Sequence, residues 1–103
     1  MEVVTGDYFP LTIVIPGDWT TAAFTGEVRS AQSVTAPLIG SFTMVSVIDD
    51  GASTTVTMAL TPTVTRAMGA HEVCNWDFQV EREAGQPMTY RRGRFVMVQD
   101  VTA

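Results

Sequence analysis

The sequence predicts an all-β protein: an antiparallel β-sandwich of six to seven short strands, with one short helix between the last two hairpins. Three observations carry this expectation. Apolar and polar residues alternate along several segments, most cleanly over Cys74–Glu81 (CNWDFQVE), the period that gives a strand one buried and one solvated face. Turn-forming residues separate these segments at short intervals, Asp49-Asp50-Gly51 being the clearest. Only one segment carries a helix start, and it is bounded within about two turns. At 103 residues the chain is read as a single domain, residues 1–103, with room for one core.

In order along the chain, YFPLTIVIPGDW places Phe9, Leu11, Ile13 and Ile15 on one side and Thr12 and Val14 on the other. Pro10 and Pro16 bracket the run and mark it as an edge strand, where a missing N–H costs nothing. AAFTGEVRSA (22–31) sets Phe24, Gly26 and Val28 against Thr25, Glu27 and Arg29, a second strand with one polar face. SVTAPL is expected to be a connection. SFTMVSVIDDGASTTVTMAL reads as a hairpin about the Asp-Gly turn, with Val56, Met58 and Leu60 inward and Thr55 and Thr57 outward. Thr61-Pro62 is a helix start, the threonine capping and the proline pre-set at the first helical position; Gly69 ends the helix. Val64, Met68 or both are expected to plug one end of the sandwich.

CNWDFQVE and YRRGRFVMV form the last hairpin. Centring its turn near Gly85 and Gln86 places Trp76 opposite Phe95, Cys74 opposite Met97 and Phe78 opposite Gly93. On the outer face it places Asp77 opposite Arg94 and Gln79 opposite Arg92, with Glu81 diagonal to Arg92. Arg92 and Arg94 are then answered by acids on a solvated face, while Arg91 falls on the inward set without a counter-charge.

The composition narrows the classes of function. Charged residues make up only 17% of the chain, and the six basic residues are all arginine. A surface so short of charge suits a protein that lies against other proteins. The net charge of −5 disfavours phosphate backbones, so no nucleic-acid partner is expected. A single cysteine excludes an intramolecular disulfide framework. No stretch has the layout of a signal peptide or the length of a membrane span, and a cytoplasmic product with no membrane partner is expected.

No catalytic constellation stands out, and neither a cofactor nor a metal is expected. His71 and Cys74 are three apart, but one His and one Cys cannot supply the usual four ligands of a structural zinc, and Cys74 falls on the inward set. Asp49 and Asp50 before Gly51 make a turn rather than the spaced oxygens of a calcium loop. There is no G-x-S-x-G nucleophile motif and no phosphate-binding loop. Trp19, in PGDWT, is the tryptophan outside an alternating strand. It is expected to cap the end of the sandwich, and an exposed position would instead suit sugar stacking.

Several stretches together resemble a known family: GDYFPLTIVIPGDWT, FTGEVRS, VTMALTPTVTRAM, WDFQVER and the closing RRGRFVMVQDVT. They are similar to the small β-sandwich domain of tailed-phage virion proteins, found in tail-tip, baseplate and minor tail proteins and typified by the N-terminal domain of baseplate upper proteins. The resemblance implies a non-enzymatic structural role in the virion, by self-association and by docking on other virion proteins. It implies many copies on a symmetric scaffold, hence a homo-oligomer, made in the host cytoplasm. This chain stops at Ala103, where relatives continue into a receptor-binding or shaft segment, so a free-standing component is expected, at the tail tip, the head–tail connection or the capsid surface. The residues expected to meet partners are Arg92, Arg94, Asp77 and Glu81 on the outer face, then Trp19. The alternative from another class is a carbohydrate- or receptor-binding β-sandwich module.

Overall fold

The computed structural model of the protein describes residues 1–31, 35–83 and 85–99. Eight strands and one helix follow the order β1 (Glu2–Val4), β2 (Phe9–Pro16), β3 (Ala23–Arg29), β4 (Leu38–Ser41), β5 (Thr43–Asp49), β6 (Ser53–Leu60), α1 (Pro62–Met68), β7 (Val73–Glu81) and β8 (Pro87–Val98). They form a five-stranded sheet, ordered β1-β8-β7-β3-β4, and a three-stranded sheet, ordered β2-β6-β5. The all-β sandwich expected from the alternation is therefore present. It has eight described strands rather than six or seven, and β1 runs parallel to β8 in an otherwise antiparallel structure.

The two additional strands are short. Glu2–Val4 has three residues, too few to display a period, yet Val3 is fully buried once Glu2–Val4 pairs with Val96–Val98. Leu38–Ser41 extends what the sequence suggested was only a connection; Ser33 and Val34 of that segment lie outside the described residues.

The inward sets are those the alternation specified. Ile13, Ile15, Val56, Met58 and Leu60 from the smaller sheet meet Val28, Cys74, Trp76, Phe78, Val80, Phe95 and Met97 from the larger. Trp76 and Phe95 stack with centroids 5.7 Å apart, and Phe42, at the crossover between β4 and β5, lies 6.3 Å from each. Such pairs add about 1 kcal/mol each beyond the area they bury. α1 begins as predicted: the Thr61 hydroxyl accepts the Val64 N–H at 3.4 Å. Met68 is fully buried and Val64 packs over Gly40, so both close one end. Gly69 ends the helix without a positive φ; a Cβ there would lie 2.6 Å from Thr5, so close packing is what requires glycine.

β2 is an edge strand, as its prolines indicated. Pro10 and Pro16 lack the N–H needed to pair with β6, so their backbone faces the free edge. The two-residue period turns Thr12 and Val14 the same way. The Val14 carbonyl does point there, accepting the Tyr90 hydroxyl at 3.4 Å.

The register of the last hairpin differs from the sequence-based expectation. Trp76 pairs with Gly93, Cys74 with Phe95 and Phe78 with Arg91; on the outer face Asp77 pairs with Arg92, Asn75 with Arg94 and Gln79 with Thr89. The reason is a bulge between Phe78 and Gln79, where β8 carries one extra residue, together with a turn centred earlier than Gly85-Gln86. Up to the bulge, the slip from the expected pairing is two residues, which keeps every side chain on its face and so left the hydrophobic pattern blind to it.

Candidate functional site

The outer face of the five-stranded sheet holds most of the residues expected to meet partners. Two rows cross it: Arg94, Asn75, Arg29 and Leu38 in one, Arg92, Asp77, Glu27 and Ser41 in the other. Alternation puts these side chains outward because Cys74, Trp76, Phe78 and Val28 between them are buried. The expected ion pairs of Arg92 and Arg94 with Asp77 and Glu81 do not form. The ion pair on this face is Arg29 with Glu27, at 3.4 Å, and Arg29 also donates to the Ala36 carbonyl at 2.9 Å. Glu81 instead accepts the Gly85 N–H at 3.1 Å.

Asp77 sits in the middle of the sheet with Glu27, not an arginine, as its near neighbour on one side. Burial, and then the negative charge of Glu27, push its carboxyl above the usual range, with Arg29 partly opposing them. One of its carboxylate oxygens is buried without a hydrogen-bond partner among the described residues. Arg92 lies directly across the strand pair but extends into solvent. Arg92 and Arg94 are thus exposed cations with no ion pair among the described residues.

Arg91, expected on the inward set without a counter-charge, lies on the inward side opposite Phe78 and yet is exposed. The bulge places Tyr90 beside it, with the Arg91 guanidinium 5.5 Å from the ring centre. Arg91 and Arg92 border a cleft of about 420 Å³, whose other walls are Leu11, Thr12, Ile13 and Val14 of β2, with Trp76 and Met1. No local pattern marks this cleft, because it exists only where the edges of β2 and β8 meet.

Trp19 is half-buried against the core at the end of the sandwich. Thr54 fixes its loop: the fully buried hydroxyl accepts the Trp19 N–H and donates to the Gly17 carbonyl, both at 2.9 Å. The indole donates to the Pro16 carbonyl at 2.9 Å, and the Arg82 guanidinium lies 3.7 Å over its ring. That stacked arginine occupies the ring face a sugar would need. A smaller cleft of about 210 Å³ beside it is lined by Trp19, Val80, Arg82, Glu83, Gln86 and Met88.

The remaining candidates resolve into structural roles. Cys74 is fully buried, its thiol donates toward the Met68 carbonyl at 3.8 Å, and burial raises its pKa, so it is a poor nucleophile at neutral pH. His71 lies in the turn after α1, its N–H bonded to the Met68 carbonyl. The Asp49 carboxylate accepts the Gly51 N–H, and that of Asp50 accepts the Ala52 and Ser53 N–H groups. These bonds hold the Asp50 carboxyl below its usual range and commit both acids to the turn. Among the described residues no group of three or more His, Cys, Asp or Glu is placed to hold a metal ion, and no helix is long and apolar enough to cross a membrane.

A feature no single motif announced is the segregation of charge. Strands β2, β5 and β6 together carry one ionisable side chain, Asp49 at the hairpin turn. The strands of the other sheet carry Glu2, Glu27, Arg29, Asp77, Glu81, Arg91, Arg92 and Arg94, along with Cys74 and Tyr90. The outer face of the smaller sheet is consequently built of rows such as Thr12–Thr57–Ser46 and Val14–Thr55–Ile48. In sequence, the chain matches no protein-family model and no curated protein.

Proposed function

We propose that the protein is a non-enzymatic structural component of a tailed-phage virion that works by association with copies of itself and by docking on other virion proteins. The virion assignment is supported by the sequence resemblance, which spans most of the chain. The closing Asp-Val-Thr of that resemblance lies outside the described residues. The observation that carries the association is the uncharged outer face of β2, β6 and β5. Val14, Val45 and Ile48 are 50%, 55% and 60% exposed on these strands, among threonines and prolines. Val14 and Ile48 flank Thr55 in one row across the three strands, so the apolar groups are continuous with an uncharged surface, the combination that contact with other protein uses.

The occupant this face favours is a second copy of the chain. Two molecules of net charge −5 repel, and the repulsion is least where the approaching faces carry no charge. Association through β2 and β6 leaves the arginine-bearing sheet free for other components. The carbohydrate-binding alternative has less support, because Arg82 covers the Trp19 ring.

Sedimentation velocity over a range of concentrations tests the association. The wild type is expected to form a concentration-dependent oligomer, and Val14→Glu with Ile48→Glu to be monomeric with an unchanged circular dichroism spectrum. A wild type that stays monomeric throughout, or a double variant that associates equally well, would overturn the self-association. Mass spectrometry of purified particles tests the virion assignment; absence of the protein from them would refute it.

A further inference from the structure

We propose that the free edge of β8 around Arg92–Arg94 accepts an extended segment of another protein whose side chains alternate between acidic and apolar. β8 has twelve residues, and β1 covers the edge only at Val96–Val98. The Val96 N–H bonds to the Met1 carbonyl and the Val98 carbonyl accepts the Thr5 N–H, whereas the Met97 N–H bonds to Glu72 on the opposite side. Even-numbered residues of this part of β8 therefore turn their backbone groups toward the edge. By the two-residue period Arg94 and Arg92 do the same, beyond the reach of β1. The edge thus offers two N–H groups and two carbonyls in line with an existing parallel strand, which is what a strand-addition site requires.

The side chains specify what the added strand carries. On its outer side it lies beside Arg92 and Arg94, both exposed and without an ion pair among the described residues. On its inner side it faces the 420 Å³ cleft, with Leu11, Ile13 and Trp76 as apolar walls and Arg91 at the rim. Successive side chains of a strand point to opposite faces, so an acidic residue at every second position meets the arginines while the intervening apolar residues enter the cleft. Half of the arginines of an acidic protein are gathered at this one edge, which gives it a charge opposite to that of the rest of the chain. The backbone groups and arginines of the site belong to the larger sheet, while Leu11 and Ile13 of β2 wall its cleft from the smaller one.

Fluorescence anisotropy with short labelled peptides tests the proposal, one alternating Glu and Val and one alternating Lys and Val. The Glu/Val peptide is expected to bind, more weakly at high salt, and the Lys/Val peptide not to bind. Arg92→Glu with Arg94→Glu is expected to weaken binding at least about tenfold, since the reversal turns two attractive charges into two that repel the acidic side chains. Amide exchange on the wild type gives a second readout independent of any variant: the Arg92 and Arg94 amides are expected to become protected when the Glu/Val peptide is added. Equal binding of both peptides, no added protection at about millimolar peptide, or binding of a single-stranded oligonucleotide in preference to the peptide would each overturn the proposal.

Discussion

Gly93, the glycine inside the arginine cluster, reports on the register of the last hairpin through its pairing with Trp76. A Cβ at this position would lie 2.8 Å from Nε1 of Trp76 and 3.0 Å from its Cε2 and Cζ2, where ordinary contact begins near 3.4 Å. In Gly93→Ala the indole must retreat by about 0.6 Å. It has little room, because Trp76 is stacked on Phe95 and edge-packed against Phe42. Overpacking of this kind costs about 1–3 kcal/mol. The opposing gain from replacing a strand glycine by alanine is about 0.5–1 kcal/mol, so the clash wins. A net loss of about 1–2 kcal/mol lowers the melting temperature by about 5–10 °C in a domain of this size.

Thermal and urea unfolding followed by circular dichroism measure this loss, with Trp76→Phe as the second arm of a double-mutant cycle. Phenylalanine lacks the second ring of the indole and has more room to retreat, so in the Trp76→Phe background Gly93→Ala is expected to cost less than in the wild type. An unchanged or raised melting temperature for Gly93→Ala alone would refute the pairing of Trp76 with Gly93. So would an equal loss in both backgrounds.

Two other perturbations probe the ends and the outer face of the sandwich. Thr54→Val keeps the shape but removes the hydroxyl that serves Trp19 and Gly17, leaving a backbone donor and acceptor unpaired; a loss of about 2 kcal/mol in urea unfolding is expected, and a variant as stable as the wild type would contradict the bridging role. Asp77→Asn is expected to raise the melting temperature at pH 7. Because the folded carboxyl has a raised pKa, the fold binds more protons than the unfolded chain between the two values, so wild-type stability falls as pH rises through the folded pKa. The advantage of Asn should therefore shrink as the pH drops through the carboxylate range, and a constant difference between pH 3 and pH 7 would count against it.

The alternation of CNWDFQVE, the prolines of β2, the Asp-Gly turn and the Thr61-Pro62 helix start all depend on neighbours within a few residues, and each is legible in the sequence. The same local logic assigned Arg92, Arg94, Asp77 and Glu81 to one outer face. It did not reach their partners. An earlier turn and a bulge at Phe78–Gln79 together move the register by two residues without changing which residues are buried; Asp77 comes to lie between Arg92 and Glu27, and the ion pair on this face is Arg29 with Glu27.

By itself the sequence determined the fold class, the inward sets and the position of the helix, because burial imposes a period that the chain must carry in its own residues. Beyond the two hairpins legible from their turns, β5–β6 and β7–β8, tertiary structure alone decided which strands neighbour one another. β1 is too short to show a period, and it fixes how much of the β8 edge is left open. The cleft beside Arg91 and the uncharged face of the smaller sheet likewise arise between strands far apart in the chain. Pairing across such distances is set by the packing of two whole sheets, to which no single segment holds the key.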